Sequence, residues 1–259
     1  MIIDKLVYNS KLRNIAPIEK LLFSMAMLFI CIAANSFTVS VLTAFTMLFL
    51  IICIGKTPAK NVLHLMTVPI VFVIMGAAAI AISIGRSDGA MIASFHIGGV
   101  YFGIGCDGLI LALGTMLKCF GAVSCMYFLS LTTPMIDLFT LLRKSIIPNF
   151  IIETAELIYR YIFVLFDVSS RIHTAQDARL GYDTLKTSYR STSCLASNLF
   201  IRSFRQAEKT YTAMESRGYD GNINVIMPKR NHCAPFIIFA VIFTAAALAA
   251  AILCGRAGI

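Results

Sequence analysis

The chain carries apolar runs long enough to cross a lipid bilayer, and this feature restricts its fold more than any other. No Asp, Glu, Lys or Arg occurs between Leu21 and Gly55. A helix that spans the hydrocarbon core of a bilayer needs about 20 apolar residues. The charge-free stretch is too long for one such helix, so we predict two short spans that meet near Asn35.

Three more apolar runs continue this pattern. They extend from about Val62 to Ile84, from about Asp107 to Leu131, and from Pro235 to Leu253. Only 14% of the residues are charged, whereas soluble domains carry about 25%. We therefore predict an all-α polytopic membrane protein with about five transmembrane helices. The glycine-rich stretch between the third and fourth spans is predicted to be a loop or a short hairpin.

Positive charge is concentrated in one part of the chain. Most of the Lys and Arg residues lie in segment 132–232, and such a bias marks the cytoplasmic side of a membrane protein. We predict that the chain begins in the cytoplasm and divides into four parts. These are a cytoplasmic segment 1–20, transmembrane helices in 21–131, a cytoplasmic helical domain in 132–232, and a last span with a short tail in 233–259.

The composition also argues against two classes of ligand. The net charge of +9 follows this cytoplasmic bias, and no base-reading motif accompanies it, so we predict no nucleic-acid partner. The eight cysteines and four histidines share no ligand spacing, so we predict no metal site on this chain. Lys118 lies inside the fourth span. Such a cation is either functional or packed against a polar group, and we favour packing.

The cytoplasmic segment is predicted to contain two long amphipathic helices. Before them, Met135 to Ser145 is predicted to form a shorter helix. The first long helix starts after Pro148 and ends near Leu180, because apolar residues recur there at spacings of three, four and seven. A break from Thr184 to Ser193 is predicted next. The second helix follows, from about Leu195 to Arg217, and Gly181 and Gly218 are placed to cap the two helices.

The two long helices end in similar sequences. One reads Ala178-Arg179-Leu180-Gly181-Tyr182, and the other reads Ser216-Arg217-Gly218-Tyr219-Asp220. A single arginine here is explained by the helix dipole. A repeated ending instead suggests two equivalent sockets on a partner, because arginine stays charged and can bind a carboxylate through two hydrogen bonds. A pair of related ATPase subunits offers such sockets, and this chain has no GxxxxGK[ST] motif of its own.

These endings resemble those of the transmembrane (T) component of energy-coupling factor (ECF) transporters, in the cobalt-type CbiQ branch. The run from Arg205 to Tyr219 is similar to the most specific segment of that family. The amino-terminal stretch around Pro17 and Lys20 and the start of the fourth span resemble it as well. Two residues depart from the family pattern, since Ser216 replaces an alanine and Leu180 replaces a small residue.

The resemblance implies a non-catalytic subunit of an ATP-driven uptake transporter in a bacterial or archaeal cell membrane. Its implied partners are two ABC-type ATPase subunits, which bind ATP and Mg²⁺, a substrate-binding membrane (S) subunit, and the lipid bilayer. The implied substrate is Co²⁺ or Ni²⁺, and another micronutrient such as a vitamin is the alternative. The implied docking residues are Ala178, Arg179, Leu180, Ser216, Arg217 and Gly218, supported by Gly181, Tyr182, Tyr219 and Asp220.

Two other functions are weighed against this one. A membrane-embedded transferase acting on a phospholipid-type substrate would use clustered carboxylates that bind Mg²⁺. Here Asp167, Asp177 and Asp183 are ten and six residues apart, which does not place them together on one helix face. A self-contained channel or carrier would need polar residues in several spans, and Lys118 alone stands out.

Overall fold

The computed structural model describes residues 6–8, 10–34, 36–85, 91–97, 100–221, 230 and 233–257, with the backbone alone in 82–107 and 254–257. The chain forms two compact units. Met1–Leu138 and Lys229–Ile259 make up the first, which we call the membrane unit. Phe139–Pro228 makes up the second, which we call the helical unit.

The membrane unit is built from long apolar helices. A short 3₁₀ helix, Lys11–Asn14, precedes them. The helices are α1 (Pro17–Ala33), α2 (Phe37–Phe49, extended by a π-helical turn at Leu50–Ile54), α3 (Ala59–Ala81), α4 (Cys106–Thr132) and α8 (Ala234–Ala257). Among the residues that the structure describes, four stretches are long and apolar enough to cross a membrane, namely Phe37–Ile54, Ala59–Ala81, Gly108–Thr132 and Ala234–Leu253. The prediction of an all-α polytopic membrane protein is confirmed.

The remaining predicted span falls on α1, which is shorter than these four stretches and is not one of them, so a fifth span stays a prediction. Helix α1 has 17 residues. Large apolar side chains on it are exposed at helical spacing, as expected for a face in contact with lipid: Ile18, Leu22, Met25, Phe29 and Ile32. The predicted break at Asn35 lies outside the described residues, and α2 starts two residues after it.

A small antiparallel sheet lies between α3 and α4. Its strands are β1 (Ile82–Gly85), β2 (Met91–Ile97) and β3 (Val100–Gly105), in the order β1-β3-β2. The sequence predicts a loop or a short hairpin here. The structure has a hairpin of β2 and β3, to which β1 adds a third strand. The predicted third span extends to Ile84, but α3 ends at Ala81 because the chain changes there to strand geometry.

Small residues allow α4 to pack closely against α1 and α2. A Cβ atom on Gly121 would lie 2.8 Å from Cys31 Sγ and 3.1 Å from the carbonyl oxygen of Ser40. Nearby, the hydroxyl of Ser24 donates a hydrogen bond of 2.9 Å to the carbonyl oxygen of Cys125. Close backbone approach and polar contacts of this kind hold helices together in lipid, where hydrophobic burial adds little.

The helical unit contains two long helices, α6 (Asn149–Asp177) and α7 (Leu185–Glu215). The chain enters this unit within a shorter helix, α5 (Met135–Leu142), close to the helix predicted from Met135 to Ser145. Helix α6 starts directly after Pro148, as predicted, and stops three residues before Leu180. The sequence therefore locates α6 but not its last residue.

The predicted break from Thr184 to Ser193 is wrong, because α7 already begins at Leu185. Thr184 and Thr187 form a capping box. The Thr187 N–H donates to Thr184 Oγ1 at 3.3 Å, and the Thr184 N–H donates to Thr187 Oγ1 at 3.0 Å. A serine- and threonine-rich stretch normally disfavours a helix, but here two of its hydroxyls satisfy the N–H groups of Thr184 and Thr187 where the helix starts.

Candidate functional site

The first predicted docking segment is a tight turn at the end of α6. The Leu180 N–H donates to the carbonyl oxygen of Asp177 at 2.9 Å, and the Gly181 N–H donates to that of Gln176 at 2.9 Å. Leu180 has a positive φ of 58°. These features define a Schellman motif, which closes a helix by pairing its last carbonyls. Arg179 is the exposed residue directly before the left-handed position.

The second predicted docking segment has the same backbone structure at the end of α7. The Gly218 N–H donates to the carbonyl oxygen of Glu215 at 3.0 Å, and the Tyr219 N–H donates to that of Met214 at 3.1 Å. Gly218 has a φ of 75°. Arg217 is exposed and again directly precedes the left-handed residue. The structure thus gives the two arginines the same position in the same motif.

The two glycines do not play the same part in these turns. Gly218 occupies the left-handed position itself, and a Cβ atom there would touch nothing within 4 Å. Gly181 follows the left-handed residue, and its Cβ atom would lie 2.7 Å from Ser191 Oγ. Gly218 is therefore required by conformation and Gly181 by space. In the first turn an L-residue, Leu180, adopts the conformation that glycine favours.

Side chains from both long helices brace the first turn. The Tyr182 hydroxyl donates to Gln176 Oε1 at 2.8 Å, and Gln176 Nε2 donates to the carbonyl oxygen of Ser191 at 3.0 Å. Ser191 Oγ in turn donates to the carbonyl oxygen of Gly181 at 2.8 Å. The Tyr182 ring also stacks on His173, with centroids 4.4 Å apart. Tyr182 and Gly181 therefore support the turn that carries Arg179.

The second turn is attached to the opposite end of α6. The Tyr219 hydroxyl donates to Glu153 Oε2 at 3.3 Å, and Glu153 is only 2% exposed. Burial, together with the Glu153 carboxylate, raises the pKa of Tyr219. Ser216 Oγ donates to the carbonyl oxygen of Thr212 at 2.8 Å, which ties the turn to α7. Asp220 is exposed beside Tyr219.

An apolar groove of about 570 Å³ lies between α6 and α7. The Tyr161 and Thr210 hydroxyls join the two helices across it. Both helices contribute to its walls, which include Phe150, Leu157, Leu165, Ala207 and Met214, and only part of this lining belongs to the amphipathic faces predicted from the sequence. Such a groove can receive an apolar segment of a partner.

The membrane unit contains a group of buried polar side chains that the sequence analysis did not predict. Lys20, Asp137 and Arg230 interact there, although Lys20 was assigned to a polar cytoplasmic segment. The one signal in the sequence is that Asp137 is the sole charged residue of an otherwise apolar helix, α5. Lys118, the cation predicted within a span, is partly buried in α4.

No metal-binding cluster is seen in the part of the chain that the structure describes, where no three His, Cys, Asp or Glu residues lie together. The absence of a metal site and of cofactors on this chain stays a prediction. The six predicted docking residues and the four predicted supporting residues lie in the two turns described above. Their binding to a partner stays a prediction.

Comparison with known proteins identifies relatives along almost the whole chain. The sequence profile of CbiQ, described as a cobalt transport protein, matches residues 8–228. The cobalt transport protein CbiQ of Salmonella typhimurium is 26% identical over 227 residues, which cover 86% of this chain and 99% of the relative.

Two further relatives carry informative names. A putative fused cobalt transport protein, CbiMQ, of Methanocorpusculum labreanum is 35% identical over 255 residues, 98% of this chain and 42% of the fused protein. The energy-coupling factor transporter transmembrane protein EcfT of Exiguobacterium sibiricum is 29% identical over 225 residues, 82% of each chain. The profile match, which spans both turns and all but the last of the membrane helices, shows that this chain belongs to the CbiQ cobalt transport protein family.

Proposed function

We propose that this chain is the transmembrane coupling subunit of an ATP-driven ECF-type uptake transporter. In this proposal it catalyses no reaction and transmits the motion of two ATPase subunits to a separate substrate-binding membrane subunit. The observation that carries the proposal is the repeated turn. Arg179 and Arg217 are both exposed, and each directly precedes the left-handed residue of a Schellman motif.

The chemistry of these turns suits docking to a pair of related subunits. Each guanidinium can bind a carboxylate through two hydrogen bonds and keeps its charge when water is removed. The Schellman hydrogen bonds fix the backbone under each arginine, so less conformational entropy is lost on binding. Two equivalent acidic sockets, one on each ATPase subunit, would match the two arginines. ATP and Mg²⁺ would bind to those subunits.

Exposed apolar surfaces leave room for a further partner beside the lipid. The groove between α6 and α7 is open to an apolar segment, and α3 exposes large side chains such as Val68 and Phe72. The fused relative carries a second, CbiM, portion in the same chain as its CbiQ portion. We infer that a subunit of this kind works beside the present chain and binds the substrate.

The proposed substrate is Co²⁺ or Ni²⁺. The names of the CbiQ relatives specify cobalt, and nickel follows cobalt in the affinity series for shared ligands. The proposed orientation places the amino terminus and the helical unit in the cytoplasm, where ATP is available and where the excess of Lys and Arg is expected.

Charge reversal at both turns tests the docking proposal. The double variant Arg179→Glu/Arg217→Glu should insert normally into the membrane but lose both ATPase co-purification and ⁵⁷Co²⁺ uptake. A control variant, Arg171→Glu/Arg205→Glu, reverses two exposed arginines on the same two helices, away from the turns. This control variant should keep both ATPase co-purification and ⁵⁷Co²⁺ uptake. Normal uptake by the first double variant would refute docking through these arginines.

A further inference from the structure

A buried ion pair joins two distant parts of the membrane unit. Arg230 Nε lies 3.1 Å from Asp137 Oδ2, and Arg230 Nη2 lies 3.4 Å from Asp137 Oδ1. The two side chains are only 14% and 5% exposed. Because the guanidinium contacts both carboxylate oxygens, the pair fixes orientation as well as distance.

The position of this pair along the chain is informative. The chain leaves the membrane unit after Leu138 and returns to it at Lys229. Asp137 is therefore one residue before the exit, and Arg230 is one residue after the return. Both residues belong to the membrane unit, and their ion pair holds the exit and the return side by side.

Lys20 reinforces this connection. It is fully buried, and its Nζ donates to the carbonyl oxygens of Thr132 at 2.8 Å and Leu12 at 3.2 Å. Thr132 is the last residue of α4, where helix carbonyls lack partners and carry partial negative charge. Lys20 thus caps α4 just before the chain turns into α5. It also lies within electrostatic range of Asp137 and Arg230.

We propose that Asp137 and Arg230 are positioning residues that keep both ends of the helical unit in one fixed joint throughout the transport cycle. The proposal rests on the proposed function, because only a coupling subunit has motion to transmit. With both ends held together, a movement of the helical unit acts on α5 and α8 at the same time. Without the ion pair, one connection can yield while the other moves, and ATP is hydrolysed without transport.

The burial of the pair explains why the joint stays closed. Separating the two groups would leave an uncompensated charge in a poorly solvated site, which is strongly unfavourable. A salt bridge at the surface would not behave in this way, since water and ions replace the lost contact. The proposed joint therefore differs from a latch that opens and closes in each cycle.

The first test compares two ion pairs in the complete transporter, reconstituted with its ATPase and membrane partners. Asp137→Asn should retain the ATPases but lower the ⁵⁷Co²⁺ taken up per ATP hydrolysed by about tenfold or more. The matched control is Glu156→Gln, which removes a partly buried ion pair with Arg143 inside the helical unit. It should leave this ratio unchanged. An unchanged ratio in Asp137→Asn would overturn the proposal.

The second test replaces the ion pair with a covalent connection. In a background without other cysteines, Asp137→Cys/Arg230→Cys is joined by a short bifunctional thiol reagent with a cleavable centre. The joined protein should transport with near-normal coupling, and cleavage should lower the ratio to that of Asp137→Asn. Transport that is blocked by joining and restored by cleavage would show that the joint must open, which contradicts the proposal.

These outcomes are distinguishable from a failure of the proposed function. If the wild-type chain recruits no ATPase subunit, the proposed function itself is wrong. If ATPases are recruited and the ratio is insensitive to Asp137→Asn, the coupling role stands and the joint is rejected. Where Asp137→Asn fails to accumulate, the cysteine pair before and after cleavage provides the same comparison within one folded sample.

Discussion

The hydroxyl of Tyr127 donates a hydrogen bond of 2.9 Å to the carbonyl oxygen of Leu65. Leu65 lies four residues before Pro69 in α3, and proline has no N–H to give to that carbonyl. Tyr127 on α4 supplies the missing donor. Within a bilayer no water is available to do so, and such compensation allows proline to occur inside a membrane helix.

We predict that Tyr127→Phe destabilises the membrane unit by about 1–3 kcal/mol, the usual cost of an unsatisfied buried acceptor. Thermal unfolding in detergent micelles measures the effect. In a Pro69→Ala background the helix regains its own N–H donor, so Tyr127→Phe should cost much less. An equal cost in both backgrounds would show that the hydroxyl acts in some other way.

A pair of glycine substitutions tests the close packing of α4. Gly121→Ala places a methyl group 2.8 Å from Cys31 Sγ and should destabilise the protein by about 1–3 kcal/mol. Gly76→Ala in α3 is the control, because a Cβ atom there meets nothing within 4 Å. It should be neutral or stabilising by up to about 1 kcal/mol, since alanine favours helices. Equal stabilities would argue against close packing at Gly121.

The left-handed residues of the two turns should respond in opposite ways. Leu180→Gly relieves an L-residue with a φ of 58° and should stabilise the first turn by about 1 kcal/mol. Gly218→Ala introduces the same strain and should destabilise the second turn by a similar amount. Hydrogen exchange of the amides that close each turn provides the measurement. Faster exchange in Leu180→Gly would contradict the assignment.

Leu180→Gly also separates stability from binding. The Leu180 side chain is 72% exposed, so its removal costs no internal packing. If this side chain contacts an ATPase subunit, the variant should bind the ATPases more weakly although its turn is more stable. Stronger ATPase binding would instead indicate that the backbone and Arg179 alone are recognised.

The bond between Tyr219 and Glu153 is predicted to hold the second turn against α6. Tyr219→Phe should accelerate amide exchange in residues 216–221 several-fold and leave the first turn unchanged. In a Tyr182→Phe variant, amide exchange should accelerate in the first turn and stay unchanged in the second, because the Tyr182 hydroxyl braces only the first turn. Equal acceleration of both turns by either substitution would indicate a general loss of folding.

The same bond should depend on alkaline pH. Burial and the Glu153 carboxylate raise the pKa of Tyr219, so the folded protein favours the neutral phenol. The stabilising contribution is therefore fully present below the ordinary tyrosine pKa of about 10 and is lost as the pH rises through the raised value. Ultraviolet difference spectra of wild type against Tyr219→Phe should show this late ionisation. Ionisation at the ordinary pKa would contradict it.

Much of the membrane unit is predictable from the sequence, because lipid imposes a simple rule. A span needs a long run without charge. The run between Leu21 and Gly55 corresponds to α1 and α2, and the three later apolar runs correspond to α3, α4 and α8. Amphipathic spacing likewise identifies α6 and α7. The start of α7 was misjudged, because a capping box between Thr184 and Thr187 outweighs a poor local propensity.

The finer geometry of the candidate site could not be predicted, since it depends on contacts between distant residues. The sequence shows two arginines near glycines. It does not show that Leu180 adopts the left-handed conformation while Gly181 only makes space for Ser191. The ion pair between Asp137 and Arg230 joins residues 93 positions apart, and no local pattern reports such a pairing.

The short length of α1 has a consequence for the surrounding lipid. Its 17 residues extend about 25 Å, whereas the 23 residues of α3 extend about 35 Å and the bilayer core measures about 30 Å. Apolar side chains such as Leu22 and Phe29 point outward from α1. Lipid beside this helix is expected to thin in order to match it. The protein would thereby carry a patch of thinner bilayer along α1, bounded by the longer helices that pack beside it.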